Sequence, residues 1–481
     1  MVTRTLHGSQ HVPASIDQVW DFFRQPANIT RVTPRSVPVE VRTPDARTEE
    51  GARFEYRMKP LPGVPLTWRS RLEAVDPPHG FRDVQVTGPY GSWVHEHRFT
   101  AVTGGTRVDD VVVYRMPLGR VGDLAHGPMV QHQLEHIFGH RSLAMAAIFE
   151  PAGDPSTAGP GHVAVAGGTG FVGSAITREL RRRGRRGRRV TVISSRGESA
   201  RGSLPDDLPI VVADIRSGEG LGAALAGVDE LVIALAFPGL PIERPRDGAT
   251  FEAVDAEGTR ALVAAAREAG VRRILYLSGA GAAHDAPRHW FRAKARAEDA
   301  VRGSGLEWTI MRPTWIYGPD DVALNRFLGF ARALPFVPLL NLGRQQMAPV
   351  FVDDIARLAS DALEAGVAVG QIFEVGGPES MPMREVIGRA LAVAGIRRFI
   401  LPGPTPLIKL AAWPMRLLPS PPLTPDAVDF VNQPATVDIE PLLRLMPRRL
   451  MSLEEGLATY LGPTSSGLTF AQGGVELRSA A

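Results

Sequence analysis

His162-Val163-Ala164-Val165-Ala166-Gly167-Gly168-Thr169-Gly170-Phe171-Val172-Gly173 decides how most of this chain is read. The first five residues are an apolar run of strand character. Val172, Ile176 and Leu180 then recur at helical spacing, up to a stop at Gly184. Between them, Gly-x-x-Gly-x-x-Gly supplies a tight turn at Gly167, bare backbone at Gly170 and a close helix–strand approach at Gly173. A helix starting there presents unpaired N–H groups and a positive dipole end, which suit a dinucleotide pyrophosphate. A glycine turn with no ligand is the competing reading, and the strand before and helix after argue against it.

Outward from the loop, strands alternate with helices. Residues 190–194, 210–213, 230–234, 273–278 and 308–311 read as buried strands, the rhythm of a parallel, doubly wound Rossmann sheet spanning 162–320. Residues 321–461 turn mixed and Pro-rich, as expected of a small C-terminal substrate lobe. Within it, 401–425 sets proline among Leu, Ile, Trp and Met. A packed, irregular lobe is expected there, with a weak membrane-surface contact as the alternative. Residues 462–481 read as a flexible tail.

The chain has 481 residues, 44% hydrophobic and 22% charged, enough for two or three globular domains. No run reaches the ~20 apolar residues of a membrane span. The start, Met1-Val2-Thr3-Arg4, leads into no signal-peptide core, so a cytoplasmic location is expected. The absence of cysteine excludes disulfides, thiolate catalysis and Cys-based zinc sites. Net charge is only +3, and Lys59, Lys294 and Lys409 are the three lysines among 54 basic residues. The arginine cluster 181–189 falls between the first helix and second strand, away from the cofactor crevice. It reads as a solvated loop, and no nucleic-acid partner is expected.

Residues 1–150 carry another pattern. Ser15 and Gln18 make a capping box for a helix over 16–23. Strand-like stretches follow at 39–42, 52–58, 66–75, 81–86, 92–101 and 106–115. A long helix over 127–150 then carries Val130, Leu134, Ile137, Phe138, Met145 and Ile148 on one face. This order predicts a sheet gripping a helix around a cavity. Trp93, His95, His97 and Phe99 alternate along one strand and share its inward face, so Trp93, His95 and His97 are expected to line the cavity. His132, His136 and His140 fall together opposite the apolar helix face and read as solvated; no metal site is expected. Asp109 and Asp110 point to opposite faces and do not form an acid/base pair. Residues 151–161 have linker composition. The order of elements, with Pro13-Ala14-Ser15-Ile16-Asp17-Gln18-Val19-Trp20 and Gly88-Pro89-Tyr90-Gly91-Ser92-Trp93, resembles the SRPBCC (START-like, polyketide cyclase-like) superfamily. That resemblance implies an α+β helix-grip fold and a hydrophobic small-molecule ligand. The fold class expected of the whole is this domain followed by an α/β Rossmann domain with its C-terminal lobe.

The second Rossmann strand ends Ser194-Ser195-Arg196, where a carboxylate would select NAD. Ser195 and Arg196 suit a 2′-phosphate, so NADP is favoured over NAD. Asp214 follows the third strand, in reach of an adenine amine. Further motifs come in order: Val254-Asp255-Ala256-Glu257-Gly258-Thr259, Ile274 to Gly279, Trp290-Phe291-Arg292-Ala293-Lys294, Arg312 to Pro319, Phe351 to Ala356 and Phe373 to Pro378. With these, residues 162–460 resemble an atypical or extended short-chain dehydrogenase/reductase, of the NmrA-like and complex I Rossmann accessory-subunit kind. The resemblance implies cofactor contacts from Gly167, Thr169, Gly170, Phe171, Val172 and Gly173. It implies more from Ser195, Arg196, Asp214 and Ile215, and from Ala234, Leu235, Ala236, Lys294 and Pro313. It places Ser278 beside the nicotinamide and Lys294 on the ribose as the catalytic pair.

One slot departs from the pattern. Active relatives carry Tyr four residues before that Lys; here it is Trp290, an indole that donates a hydrogen bond but cannot shuttle a proton near neutral pH. Tyr276 and Tyr317 are nearby phenols, neither at the expected position. Two functions follow: an oxidoreductase or epimerase-like enzyme on a hydrophobic small molecule, or a non-catalytic NADP(H)-binding sensor or assembly protein. A cyclase confined to the front domain shows no catalytic constellation in the sequence.

Overall fold

Seven strands of the front half alternate apolar inward and polar outward residues, which is what one buried face and one wet face require. They are β1 (Thr3–Val12), β2 (Val39–Val41), β3 (Arg53–Leu61), β4 (Val64–Asp76), β5 (Gly80–Thr87), β6 (Ser92–Val102) and β7 (Gly105–Arg115). The sheet is antiparallel in the order β2-β3-β4-β5-β6-β7-β1. In this computed structural model the described residues are 2–61, 64–151, 161–183, 189–237, 243–245, 248–414, 424–461 and 468–472. Most of the expected linker, the middle of the arginine cluster, and parts of 401–425 and of the expected tail therefore lie outside the described residues.

Helix α1 (Ile16–Phe23) starts at Ser15, which accepts from the Gln18 N–H while the Gln18 side chain accepts from Ser15 N–H, the capping box expected. After the short α2 (Ile29–Val32), the long α3 (Gly119–Ile148) begins well before residue 127, because Gly119, Gly122 and Pro128 disguise its first turns as loop. Leu134, Phe138, Met145 and Ile148 of α3 close over the sheet. β1 went unread in the sequence. It pairs with β7, and on its other edge with the strand Leu468–Gln472, Arg4 opposite Gln472. That strand comes from the stretch expected to be a tail; it brings the chain back to the front sheet.

The second half contains β8 (His162–Ala166), α4 (Phe171–Arg182), β9 (Arg189–Ser194), β10 (Ile210–Val212), α5 (Leu221–Leu225), β11 (Glu230–Ile233), α6 (Gly258–Glu268), β12 (Arg273–Leu277), α7 (His289–Arg302) and β13 (Glu307–Pro313). Its parallel sheet runs β10-β9-β8-β11-β12-β13 and gains a seventh strand, Gln371–Val375. Helices cover both faces, so these strands are near-continuous apolar runs. Strand order reverses between β8 and β11, which opens a crevice above the glycine loop. Beyond β13 lie α8 (Val322–Ala333) and α9 (Val352–Glu364), the latter packed on α4.

The two halves are docked together. Arg31 donates to the carbonyls of Gly202 and Leu204, both at 2.9 Å, and pairs with Asp206 at 2.7 Å. Helix α3 packs on α8 and on the helix Leu453–Leu461. This docking corrects the reading of His132, His136 and His140 as a solvated face. His140 is buried 3.7 Å from Asp320, His136 lies 3.0 Å from the Ser36 hydroxyl, and His132 bonds Glu135 at 3.1 Å. A helix that looks amphipathic alone has its second face covered by the other half. Within the second half, Arg181, Arg182 and Arg183 pair with Asp207, Glu179 and Asp361, while Arg182 stays exposed. The expected packed lobe differs too. In its described stretch, 401–414, Leu401, Leu407, Leu410 and Trp413 are exposed. No helix among the described residues is long and apolar enough to cross a membrane.

Candidate functional site

The glycine loop has the geometry its spacing implies. Gly167 has φ +77°, and a Cβ there would fall 2.6 Å from the Ala234 carbonyl across the crevice. At Gly173 a Cβ would fall 2.2 Å from the Gly167 carbonyl, so only glycine lets α4 start this close to β8. Gly170 is the N-cap of α4, leaving Phe171 and Val172 in its first turn. The bare loop and free helix N-terminus fit a pyrophosphate. Thr169 is buried, its hydroxyl 3.5 Å from that of Ser194. Ser195 and Arg196 stand exposed where β9 ends, and the Arg196 guanidinium makes no ion pair with described residues. Asp214 is engaged by its own loop, accepting from Arg216 N–H at 2.8 Å, with Ile215 half-buried beside it. Ala234, Leu235 and Ala236 follow β11, and Pro313 ends β13, all on the crevice side of the sheet. Arg35 of the front half reaches this loop, donating to the Thr169 carbonyl at 2.7 Å. Nothing in the local sequence signals that contact.

Trp290, Lys294 and Glu298 follow one another at four-residue spacing on α7 and so form one stripe. The Lys294 ammonium pairs with Asp255 at 2.7 Å and donates to the carbonyls of Leu235 (3.1 Å) and Leu277 (3.4 Å). Burial alone would lower its pKa; Asp255 and Tyr276 outweigh this and raise it, so it stays charged. Asp255 sits on a π-helical turn, Glu252–Glu257, and also accepts from Phe237 N–H at 3.0 Å. Ser278 follows β12 and donates to Glu298 at 2.5 Å. Glu298 is itself clamped by Arg312 at 2.8 and 2.6 Å. Trp290 is buried against Phe251 and Phe430, its indole N–H without a partner among the described residues. Burial pushes the Tyr276 phenol up to about 12, and Tyr317 donates its hydroxyl to the Ser452 and Leu453 carbonyls. The crevice thus gathers Ser278, Lys294 and Trp290, but the hydroxyl and the ammonium spend their protons on protein partners. Asp255, Glu298 and Arg312 were missed. Glu298 was legible, one α7 step beyond Lys294.

The front-domain cavity, about 470 Å³, is lined by Phe22, Phe54, Trp68, Phe81 and Phe138 among others. Trp93, His95 and His97 face into it, as the alternation requires. Asp110 lies directly across from His97 in the β6–β7 register. Its Oδ1 is 3.0 Å from His95 Nε2, 2.8 Å from His97 Nδ1 and 3.1 Å from the Arg141 guanidinium. Burial would raise the Asp110 pKa, yet Arg141 and the two imidazoles hold it well below the usual range. His95, His97 and Asp110 offer donor atoms close enough for a metal. The Arg141 guanidinium, also 3.1 Å from His97 Nδ1, is the cation already placed among them, which opposes a second one. The front domain therefore does hold a polar constellation that the sequence pattern concealed. Asp83, paired in register with His95, is half-buried with its Oδ1 enclosed and unpartnered among the described residues, and burial raises its pKa.

Comparison with known proteins agrees with this division. Residues 3–146 match the polyketide cyclase/dehydrase and lipid transport family, and residues 167–329 match the NAD(P)H-binding family. The mitochondrial NADH dehydrogenase [ubiquinone] 1 alpha subcomplex subunit 9 of Arabidopsis thaliana is 32% identical over 232 residues, 46% of this chain and 55% of that protein. The ceramide reductase of Caulobacter vibrioides is 32% identical over 197 residues, 41% of this chain and 59% of that protein. The chain thus spans little more than half of either relative. The NAD(P)H azoreductase of Xenophilus azovorans is 28% identical over 240 residues, 48% of this chain and 74% of that protein. In fold, the second half is similar to Thermus thermophilus UDP-glucose 4-epimerase in complex with NAD, with TM-score 0.50 and 21% identity over 63% of this chain and 98% of that one. The chain therefore matches two families in succession, one of polyketide cyclase/dehydrase and lipid transport and one of NAD(P)H-binding domains.

Proposed function

We propose that this protein binds a nicotinamide dinucleotide without turning it over, prefers NADP, and carries a helix-grip domain that binds an apolar small molecule. The observation behind the non-catalytic reading is the committed state of the crevice. Trp290 fills the phenol slot, Ser278 gives its proton to Glu298, and Lys294 is held by Asp255 and two carbonyls. A bound dinucleotide would supply hydride chemistry. The glycine loop would hold its pyrophosphate against the α4 N-terminus, and Ser195 with Arg196 would take the 2′-phosphate. Lys294 and Asp255 brace the backbone around the nicotinamide end, and Trp290 excludes water from it. Among the described residues, none there is placed to move a proton to a substrate oxygen.

The enzyme reading has its own support in relatives named as reductases of ceramide and of azo compounds. Single-turnover mixing of protein and deuterium-labelled NADPH with ketones, quinones and azo dyes separates the two. The proposal expects no label transfer by wild type or by Trp290→Tyr. Stoichiometric transfer by wild type would make the crevice an active site.

A further inference from the structure

Arg332 lies near the end of α8, in the second half, yet it lines the front-domain cavity together with Ala333. It is 5% exposed. Among the described residues no carboxylate comes within the 4.0 Å of an ion pair, and no hydrogen bond to its guanidinium is formed. Glu135 and Tyr460 are its electrostatic neighbours, and Glu135 is already bonded to Gln131 and His132. An unpaired buried guanidinium is costly, and such a charge is normally matched by an anion.

The rest of the cavity does not supply that anion. The charge of Asp110 is matched by Arg141 and shared with His95 and His97. Asp83 is pushed towards its neutral form by burial. Other lining residues, such as Phe54, Trp68, Phe81, Trp93, Leu134 and Phe138, carry no charge. Apart from the internally matched His95–His97–Asp110–Arg141 cluster and Asp83, the cavity lining is mostly apolar, and Arg332 is the unmatched positive group among the described lining residues, where the two halves meet. Its size falls within the range of small-molecule sites.

We infer that the cavity takes an apolar molecule bearing a single carboxylate or comparable anionic group, which pairs with Arg332 across the boundary between the halves. This rests on reading the front domain as a ligand-binding module, and not on dinucleotide binding. A ligand held so touches both halves at once: rings and aliphatic groups against the front sheet, the anion against α8. The pairing is a charge-assisted, desolvated contact, the kind whose loss is felt most in affinity.

Two fluorescent probes of one ring system test it: 8-anilinonaphthalene-1-sulfonate and its neutral relative N-phenyl-1-naphthylamine, titrated into the full chain. Arg332→Met should weaken the sulfonate at least ~10-fold and change the neutral probe less than ~3-fold. Circular dichroism and NADPH binding report whether the variant folds. A second measurement needs no variant. Dodecanoate should displace the neutral probe from wild type at a concentration at least ~10-fold below that of methyl dodecanoate. Equal displacement by acid and ester, or a folded Arg332→Met that keeps the preference for the sulfonate, would overturn the assignment. No saturable binding of the neutral probe would overturn the ligand-binding reading of the front domain with it. NADPH titration in the same samples reports on the crevice separately.

Discussion

His97 should make the front domain acid-labile by an amount that the structure sets. Burial, with His95, pushes its imidazole from the usual 6.5 to about 3; Asp110 opposes this and Arg141 adds to it. The unfolded chain takes up a proton near pH 6.5, while the folded domain stays neutral there until about pH 3. The folded value is depressed, so this stability is fully present above pH 6.5 and is lost as pH falls towards 3. Between pH 7 and pH 5 the loss is about 2 kcal/mol. In His97→Phe the ring contacts with Phe23 and Phe81 are kept and the proton site is gone. The carboxylates, including Asp110, remain common to both proteins. Native-state hydrogen exchange on peptides from β6 and β7, corrected for intrinsic rates, isolates the front domain from a chain that need not unfold in two states. Wild type should lose about 2 kcal/mol more protection than His97→Phe between pH 7 and pH 5. The same pH dependence in both would refute the neutral, buried imidazole.

Two other perturbations follow from the geometry. Gly173→Ala puts a methyl group 2.2 Å from the Gly167 carbonyl; at about 1–3 kcal/mol of overpacking, NADPH binding by calorimetry should weaken by one to two orders of magnitude. Asp321 caps α8 by accepting from Ala323 and Leu324 N–H, both at 2.8 Å, and burial pushes its pKa up to about 7. A raised acid contributes stability that is full below its unfolded value of 3.8 and is lost as pH rises through 7. Asp321→Asn removes the charge and keeps one of the two accepting oxygens, so the fall in α8 protection that wild type shows between pH 5 and pH 8 should be absent from the variant. Parallel curves would show that Asp321 carries no such penalty.

How much of this was legible follows from the range of each interaction. The glycine loop, the capping box and the inward alternation of Trp93, His95 and His97 are local in sequence, and their patterns named them. Strand β1 and the strand Leu468–Gln472 find each other across almost the whole chain, so no window shows the pairing. The sequence puts Asp109 and Asp110 on opposite faces of their strand, and that reading stops at excluding an acid pair. The inward register of Asp110 with Val108, Val112 and Tyr114, opposite two histidines, was the signal that it belonged to the cavity. The His132, His136 and His140 face, together with Arg35 and Arg332, depends on docking between halves, which periodicity within one helix cannot express. Ser278 and Lys294 were found by motif, whereas their state was set by Glu298 and Asp255, contributed by α7 and by the turn before α6.

The central claim is that the second half holds a nicotinamide dinucleotide and reads its 2′-phosphate through Arg196. Calorimetric titration of the full chain with NADPH and NADH, in wild type and Arg196→Ala, tests it most directly. The account predicts saturable binding with NADPH the tighter, and a variant that loses affinity for NADPH while leaving NADH unchanged. No heat of binding from either nucleotide, or equal weakening of both by the variant, would contradict it.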